Sequence, residues 1–271
     1  MLSFDDINTY YSRPDVQSEI VKYSKNRWVG IHCSIQDKAG RPILLRYARR
    51  RRTPLTISRE QDIPELITTF RALGPRVIYA TANVYRRLEH YEDVTDLTNV
   101  VACMPTWDID NVLGDWRITI GVAKSIVNFL HDGGVKKSVF VKWSGNGCHI
   151  HIHHKAISER LSSKTHPLDL AYAAVRYTIL SLDKEIHKLT GKNRLPKVEN
   201  NMDPQRLFTA PLSLHRSLDV ACVCIHPDDL EKFEPDWLRT DQFRHFSGWD
   251  RYMEGEADAF CERAYLAVGP R

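Results

Sequence analysis

The sequence has no long hydrophobic run. Hydrophobic residues make up 42% of the 271 positions, yet no stretch approaches the roughly 18 to 20 consecutive apolar residues that a membrane-spanning helix needs. The N-terminus also lacks the basic segment and the apolar core of a secretory signal peptide. These absences exclude a helical membrane protein and predict an intracellular, cytoplasmic protein with no membrane partner.

Cysteine is sparse, and no two cysteines are arranged as Cys-x-x-Cys. The six cysteines are scattered through apolar or strand-like segments. Closely paired cysteines are the usual signature of a structural zinc site, so no structural zinc is predicted. In an intracellular protein such scattered thiols stay reduced and pack in the core.

The excess of positive charge is small, but it is unevenly distributed. Lysine and arginine number 38 against 34 acidic residues, for a net charge of +4, which does not by itself indicate a nucleic-acid partner. Five arginines nevertheless fall within seven residues: Arg46, Arg49, Arg50, Arg51 and Arg52. Such a run attracts a phosphate backbone, although a solvated turn between two strands would also explain it.

Hydrophobic periodicity predicts an α+β fold in which helices flank a mixed β-sheet. We expect a single domain with modules at 1–100, 101–225 and 226–271, because the chain has no internal repeat and no low-complexity linker. The predicted strands are 28–35, 42–47, 76–82, 107–110, 138–143, 148–153 and 220–225. The predicted helices are two within 4–25, then 63–73, 115–131 and a longest one at 168–189.

A pair of carboxylates ends one predicted strand. Asp108 and Asp110 alternate with Trp107 and Ile109, and because strand side chains alternate faces, the two acids point the same way. Carboxylates placed in this way suit Mg²⁺ or Mn²⁺. Many Asp-x-Asp pairs, however, only end a strand or initiate a turn.

A glycine-containing turn follows the next predicted strand. Ser144, Gly145, Asn146 and Gly147 lead to His149. Glycines let the backbone approach an anion, and exposed N–H groups in such a turn form an anion-binding nest. The segment therefore predicts a phosphate site, although the same pattern occurs in ordinary hairpins.

Three histidines alternate along the strand that begins after this turn. His149, His151 and His153 would share one face, with His154 directly after them. Imidazoles bind zinc well, so a histidine-based metal site is an alternative. We expect His149 to be functional, and His151 and His153 to line the sheet surface or pack beneath a helix.

A third polar segment lies near residues 201–216. Asp203 supplies another carboxylate, and Arg206, His215 and Arg216 are candidates to bind the phosphates of a nucleoside triphosphate, together with Ser213. Taken singly, Asp203 before a proline would be a turn residue, and His215 a capping or core histidine.

Taken together and in this order, the three segments resemble the catalytic core of the archaeo-eukaryotic primase superfamily, most closely the small catalytic subunit of archaeal DNA primase. That family has an Asp-x-Asp strand, a Ser-Gly turn ending in histidine, and an Asp-x-x-Arg-Leu segment leading to Pro-x-Ser-Leu-His. The chain has these at 107–110, 144–149 and 203–215, and the similarity extends over residues 10 to 225.

The resemblance implies a template-directed nucleotidyltransferase, a DNA primase or primase-polymerase that acts in replication at the nucleoid. Asp108, Asp110 and Asp203 would hold two divalent ions, Mg²⁺ or Mn²⁺. The Ser144 turn and the basic residues of the third segment would bind an NTP or dNTP. Single-stranded DNA is the implied template, contacted by the arginine run, and a primase large subunit or a helicase is the implied protein partner.

The chain departs from the family at several positions. Thr209 stands where a second arginine is frequent, Leu212 replaces a glycine, and Arg216-Ser217 replaces the usual Gly-Lys. The zinc-binding insertion of the small subunits is missing, and the histidine turn is the shorter form found in plasmid-encoded primase-polymerases. The metal site is therefore expected to be retained, while the differences fall among the phosphate contacts.

Three other functions are compatible with the sequence. The first is a gap-filling repair polymerase of the same superfamily that cannot initiate a primer. The second is a non-catalytic, DNA-binding subunit with the same fold. The third is a histidine-based metallohydrolase, which would bind zinc or iron tightly.

Overall fold

The computed structural model of the chain describes residues 2–48, 52–111, 115–191 and 195–271. The α-helices in these ranges are α1 (Phe4–Tyr11), α2 (Pro14–Ser24), α3 (Asp62–Thr69), α4 (Trp116–Asp132), α5 (Glu159–Ser162), α6 (Pro167–Ser181), α7 (Asp183–Thr190) and α8 (Asp258–Val268). The strands are β1 (Val29–Gln36), β2 (Pro42–Leu45), β3 (Pro75–Thr81), β4 (Asn83–Tyr85), β5 (Val100–Cys103), β6 (Thr106–Asp110), β7 (Val139–Trp143), β8 (Gly147–Ile152), β9 (Val198–Glu199), β10 (Leu207–Thr209) and β11 (Val223–Ile225).

The chain divides into two compact units. The first unit comprises residues 1–100, 204–223 and 235–244, and the second comprises 101–203, 224–234 and 245–271. Two segments from the C-terminal half of the sequence therefore complete the first unit. The N-terminal residues cannot form that unit alone, because its sheet includes β10.

The first unit is built on a four-stranded sheet in the order β10-β3-β1-β2, with antiparallel pairing throughout. Ile31 in β1 lies opposite Ile78 in β3, and both are completely buried. Helix α3 is followed by a 3₁₀ turn that ends at Gly74. Gly74 has a φ of 64°, and a Cβ there would lie 2.1 Å from the Ser34 hydroxyl oxygen. Glycine is thus required at position 74 for two reasons. The backbone there is left-handed, and a larger side chain would collide with Ser34.

The second unit is built on a five-stranded sheet in the order β11-β7-β8-β6-β9. The pairs β6–β8, β7–β8 and β6–β9 are antiparallel. Helices α4 and α6 pack on this sheet, and α8 packs on α6. Helix α4 begins at Asp115, whose carboxylate accepts a hydrogen bond from the Arg117 N–H, as expected for an N-cap residue. The sheet and its helices position the Asp-x-Asp strand.

Two predicted elements differ from the structure. The predicted long helix at 168–189 is two helices, α6 and α7, separated at Leu182, so the longest helix is α4 with 17 residues. The Thr178 hydroxyl donates to the Ala174 carbonyl near the end of α6, and such a bond tends to bend a helix. The predicted strand at 220–225 is regular only from Val223, and the unassigned tail contains α8.

Across the ranges that the structure describes, no helix combines the length and the apolar character that crossing a bilayer requires.

Candidate active site

The two carboxylates of the Asp-x-Asp motif lie on β6, in the interior of the second unit's sheet. Trp107 and Ile109 are completely buried, and Asp108 is 7% exposed. Asp110 is exposed at the end of the strand. Strand alternation therefore directs Trp107 and Ile109 to one face and the two acids to the other, as the spacing predicts.

Each carboxylate oxygen of Asp108 lies close to a side chain that can form a hydrogen bond with it. Its Oδ1 lies 3.1 Å from Nε2 of His149, which is directly opposite it on β8. Its Oδ2 accepts a hydrogen bond of 2.9 Å from the side-chain amide of Asn201. His149, predicted to be functional, is thus the cross-strand partner of the first acid, and it orients that carboxylate.

Glu199 is a neighbouring carboxylate that the sequence analysis did not identify. It lies on β9, directly opposite Asp108, and its Oε2 accepts a 3.3 Å hydrogen bond from the same Asn201 amide. Its Oε1 lies 2.8 Å from Nζ of Lys197. Hydrogen bonds from Lys197 and Asn201 hold the pKa of Glu199 below its usual value. The structure therefore places two carboxylates, Asp108 and Glu199, opposite each other on adjacent strands.

Asp203 lies four positions beyond Glu199, outside any strand, and it is exposed. Among the residues with described positions, no three His, Cys, Asp or Glu side chains converge in the arrangement that a metal ion needs. Among the described residues, neither Asp203 nor Glu199 therefore completes a ready-made group of three metal ligands with Asp108 and Asp110. The predicted role of Asp203 as a metal ligand stays a prediction.

The Ser144 turn connects β7 to β8 beside the carboxylates. Gly147 lies opposite Asp110, and a Cβ at Gly147 would be 2.9 Å from the Ile109 carbonyl oxygen. Gly145 has a φ of 113°, which few other residues adopt. Both glycines are thus needed for the turn to approach β6 closely, and the predicted phosphate-binding turn borders the acidic face.

The remaining histidines do not form a metal site. His151 shares the face of His149, but it is completely buried and its ring stacks on Phe140 at 4.7 Å. Its Nδ1 lies 2.8 Å from the Thr106 hydroxyl oxygen. His153 follows the strand and stacks on Tyr252 at 4.8 Å. These contacts are those of packed side chains, as expected for His151 and His153.

A buried lysine completes the polar row across this sheet. Lys142 on β7 lies opposite His149 on β8, which in turn lies opposite Asp108. Directly opposite residues share a face, and Lys142 is completely buried there. A fully buried lysine is rare, and this one shares a sheet face with His149 and Asp108, so it is a functional candidate. The sequence could have indicated this residue, because Lys142 is a single lysine within the otherwise apolar segment Val139–Trp143.

The basic residues of the third segment belong to the first unit. Arg206 and Arg216 both lie near Tyr79, where their positive charges oppose the increase that burial causes in the pKa of this phenol. Ser213 is completely buried, and its hydroxyl oxygen accepts a 2.8 Å hydrogen bond from the Ile78 N–H. The structure thus places Arg206 and Arg216 near the same residue, Tyr79. The Ser213 hydroxyl instead binds the backbone of β3 at Ile78.

His215 lies next to these arginines in a loop that a buried arginine supports. Burial, Arg216 and Arg76 together lower the pKa of His215 to about 4. Arg76 donates hydrogen bonds to the carbonyls of His215 and Leu218, and its guanidinium lies 2.6 Å from the Asp219 carboxylate. Arg76 is therefore a positioning residue for His215 that local sequence patterns did not indicate.

The predicted nucleic-acid-binding arginines are partly described. Arg46 donates a 2.8 Å hydrogen bond to the Gln205 carbonyl, next to Arg206. Arg52 is exposed, with its guanidinium carbon 5.8 Å from the ring centre of Tyr91. Arg49, Arg50 and Arg51 lie outside the described residues.

Sequence comparison does not assign the chain, whereas structural comparison does assign its fold. No protein-family model and no curated protein sequence matches it. Among solved structures, it is similar to the polymerase domain of Ligase D from Mycobacterium tuberculosis in complex with DNA, with a TM-score of 0.58. The match covers 99% of this chain and 90% of that one, at 15% sequence identity.

The chain has an archaeo-eukaryotic primase-type fold. The predicted α+β class is thereby confirmed. The nearly complete coverage of both chains means that the similarity includes both units. At 15% identity, the similarity concerns the fold alone, and the narrower resemblance to the archaeal small subunit stays a prediction.

Proposed function

We propose that this protein is a DNA-directed nucleotidyltransferase, a primase-polymerase that joins NTPs or dNTPs on a single-stranded DNA template. One observation supports this most strongly. Within a primase-type fold, Asp108 and Glu199 face each other on adjacent strands, and Asp110 follows on the same face. The DNA bound to the Mycobacterium polymerase domain is consistent with the proposed template.

The chemistry of this donor set suits divalent metal ions. Asp108, Asp110 and Glu199 offer carboxylate oxygens, which are the ligands that Mg²⁺ and Mn²⁺ prefer. Bound there, the ions would lower the pKa of the attacking 3′-hydroxyl and stabilise the pyrophosphate leaving group. We infer that Glu199 is the third carboxylate of the site, because it already adjoins Asp108. Asp203 is the alternative.

The protein's own residues orient the carboxylates. Asn201 donates to both Asp108 and Glu199, and His149 adjoins the other oxygen of Asp108. Groups held in this way need little rearrangement during a reaction, which is the usual source of electrostatic catalysis. His149 and Asn201 are therefore proposed as positioning residues for the first acid.

Two sets of groups are candidate phosphate ligands, and each is described within its own unit. In the second unit, the backbone N–H groups and the hydroxyl of the Ser144 turn are suited to phosphate oxygens. In the first unit, Arg206 and Arg216 supply positive charge. With its low pKa, His215 is neutral at pH 7, and its Nδ1 accepts hydrogen bonds from backbone N–H groups. The ring proton therefore resides on Nε2, where it can be donated to a phosphate oxygen.

One assay tests the function directly. Purified protein is incubated with single-stranded DNA, Mg²⁺ or Mn²⁺, and labelled NTPs or dNTPs, with and without an annealed primer. We expect template-dependent incorporation that Asp108→Ala abolishes while its circular dichroism spectrum and melting temperature show an intact fold. Incorporation by Asp108→Ala at the wild-type rate would refute the assignment.

The same assay separates the alternatives. A gap-filling polymerase extends a primer but makes no product without one. A non-catalytic DNA-binding subunit incorporates nothing under either condition, yet it binds the template.

A further inference from the structure

Three aromatic side chains in the first unit form a row from the interior to the surface. The ring centres of Trp28 and Tyr47 are 5.2 Å apart, and those of Tyr47 and Tyr91 are 5.6 Å apart. Trp28 is buried, Tyr47 is half-buried, and Tyr91 is 40% exposed. The row therefore ends in a tyrosine ring that is accessible to a ligand.

Arginine side chains accompany this row at both ends. The guanidinium carbon of Arg46 lies 4.5 Å from the Trp28 ring centre, and that of Arg52 lies 5.8 Å from the Tyr91 ring centre. Arg46 is held by its hydrogen bond to Gln205, whereas Arg52 is exposed beside the outermost ring. An exposed cation thus adjoins an exposed aromatic face.

The row is anchored rigidly. Trp28 belongs to a hydrophobic cluster with Tyr85, Val94 and Val100, and Tyr47 packs against that cluster. The Trp28 indole N–H donates to the Arg46 carbonyl at 2.8 Å, and a bridge pairs Tyr47 with Pro54. A ring supported in this way loses little conformational entropy when a ligand stacks on it.

An exposed aromatic ring beside a cation matches the chemistry of single-stranded nucleic acids. Every base has a flat face that stacks on aromatic rings, and the phosphates between bases attract guanidinium groups. Tyrosine and arginine are also enriched at protein interfaces, but a flat ring followed by a cation repeats the alternation of base and phosphate along a nucleic-acid strand.

We propose that Tyr47, Tyr91 and Arg52 form a platform on which bases of single-stranded DNA stack. A base stacks on the ring of Tyr91, which Tyr47 supports from the interior. Arg52 contacts the phosphate next to that base. Identifying this strand as the template rests on the proposed function, but the binding itself requires neither nucleotide nor metal.

A pair of DNA ligands tests the stacking. The affinities of wild type and Tyr91→Leu are measured by fluorescence anisotropy for a labelled oligothymidylate and for an abasic oligonucleotide of equal length. We expect Tyr91→Leu to weaken oligothymidylate binding by about 5- to 100-fold, and abasic binding by no more than about twofold. Tyr91→Phe should bind as wild type does. Equal losses on the two ligands, or no loss on either, would overturn the proposal.

Two further variants complete the test. Arg52→Gln should weaken binding to both ligands and reduce the slope of log affinity against log salt by about 0.7, the value for one phosphate contact on a single strand. Leu189→Ala removes a comparably exposed apolar side chain of the second unit, and it should change neither affinity. Melting temperatures establish that each variant is folded.

Failure of the platform and failure of the proposed function give different results. If Tyr91→Leu loses oligothymidylate binding selectively but wild type incorporates no nucleotide, the platform stands and the polymerase assignment fails. If wild type incorporates nucleotide while Tyr91→Leu binds oligothymidylate as tightly as wild type does, the platform fails and the polymerase assignment stands.

Discussion

Asp108 and Glu199 lie directly opposite each other on antiparallel strands, and the Asn201 amide donates hydrogen bonds to both carboxylates. Two adjacent negative charges normally raise the pKa of one of the pair. Here Lys197 and Asn201 hold the pKa of Glu199 below its usual value instead. The Glu199 carboxylate is therefore held in its ionised form, which is the state that a divalent cation requires.

The choice between Glu199 and Asp203 as the third carboxylate can be tested by amide substitution. We expect Glu199→Gln to lower nucleotide incorporation by at least about 100-fold, because it removes one anionic ligand of the metal site. Asp203→Asn should be much milder. Glu185→Gln, on the exposed surface of α7, is the matched control. The reverse ranking of the Glu199 and Asp203 variants would assign the role to Asp203.

Metal binding can be measured without catalysis. Saturating Mn²⁺ should raise the melting temperature of the wild-type protein by about 5 °C, because a ligand that binds only the folded state stabilises it. Asp108→Asn should show no such increase, while its melting temperature without metal should equal or exceed that of wild type. A Mn²⁺-dependent increase in Asp108→Asn as large as that of wild type would contradict the assigned ligands.

Lys142 should matter more for activity than for stability. Methionine keeps the apolar volume of the lysine stem, so Lys142→Met should remain folded and melt within about 5 °C of wild type. Its incorporation rate should fall by more than about 10-fold, since the amine that shares a sheet face with His149 would be lost. A fully active Lys142→Met would show that the lysine is only structural. Lys124→Met, on the exposed side of α4, is the control.

The ion pair between Arg76 and Asp219 should stabilise the His215 loop in a pH-dependent way. Burial acts to raise the pKa of Asp219, but hydrogen bonds from Arg76 and the Leu2 N–H outweigh it and lower this pKa to about 2. The folded-state pKa is thus below the unfolded-state value of about 4. The stabilisation is therefore fully present above pH 4 and is lost as the pH falls toward 2.

Thermal unfolding of Asp219→Asn checks this expectation. The difference in melting temperature between wild type and variant should be constant between about pH 7 and 5, and it should shrink below pH 4. Asp241→Asn removes an exposed partner of Arg239, and it should have little effect at any pH. A difference for Asp219→Asn that grows on acidification would show that the carboxylate is not stabilised in its ionised form.

Much of the fold followed from local patterns. Alternation of apolar and acidic residues placed Asp108 and Asp110 on one face of β6, and Asp115 marked the start of α4. The helix predicted to end before Gly74 is α-helical only to Thr69, and Gly74 ends the 3₁₀ turn that follows. These signals act over a few residues, so the sequence displays them directly. The division of 168–189 into two helices was not evident, because no glycine or proline stands at Leu182.

The candidate site was only partly visible in the sequence. The sequence by itself determined the Asp-x-Asp strand, the glycine turn that follows the next strand, and the basic residues Arg206, His215 and Arg216. Only the tertiary structure placed Glu199 opposite Asp108, Lys142 opposite His149, and the Arg76 guanidinium at the His215 carbonyl. Strand β9 has only two residues, which is too few to show the alternation of apolar and polar residues that predicts a strand. Its acid acquires a neighbour only when β9 pairs with β6, some 90 positions earlier in the chain.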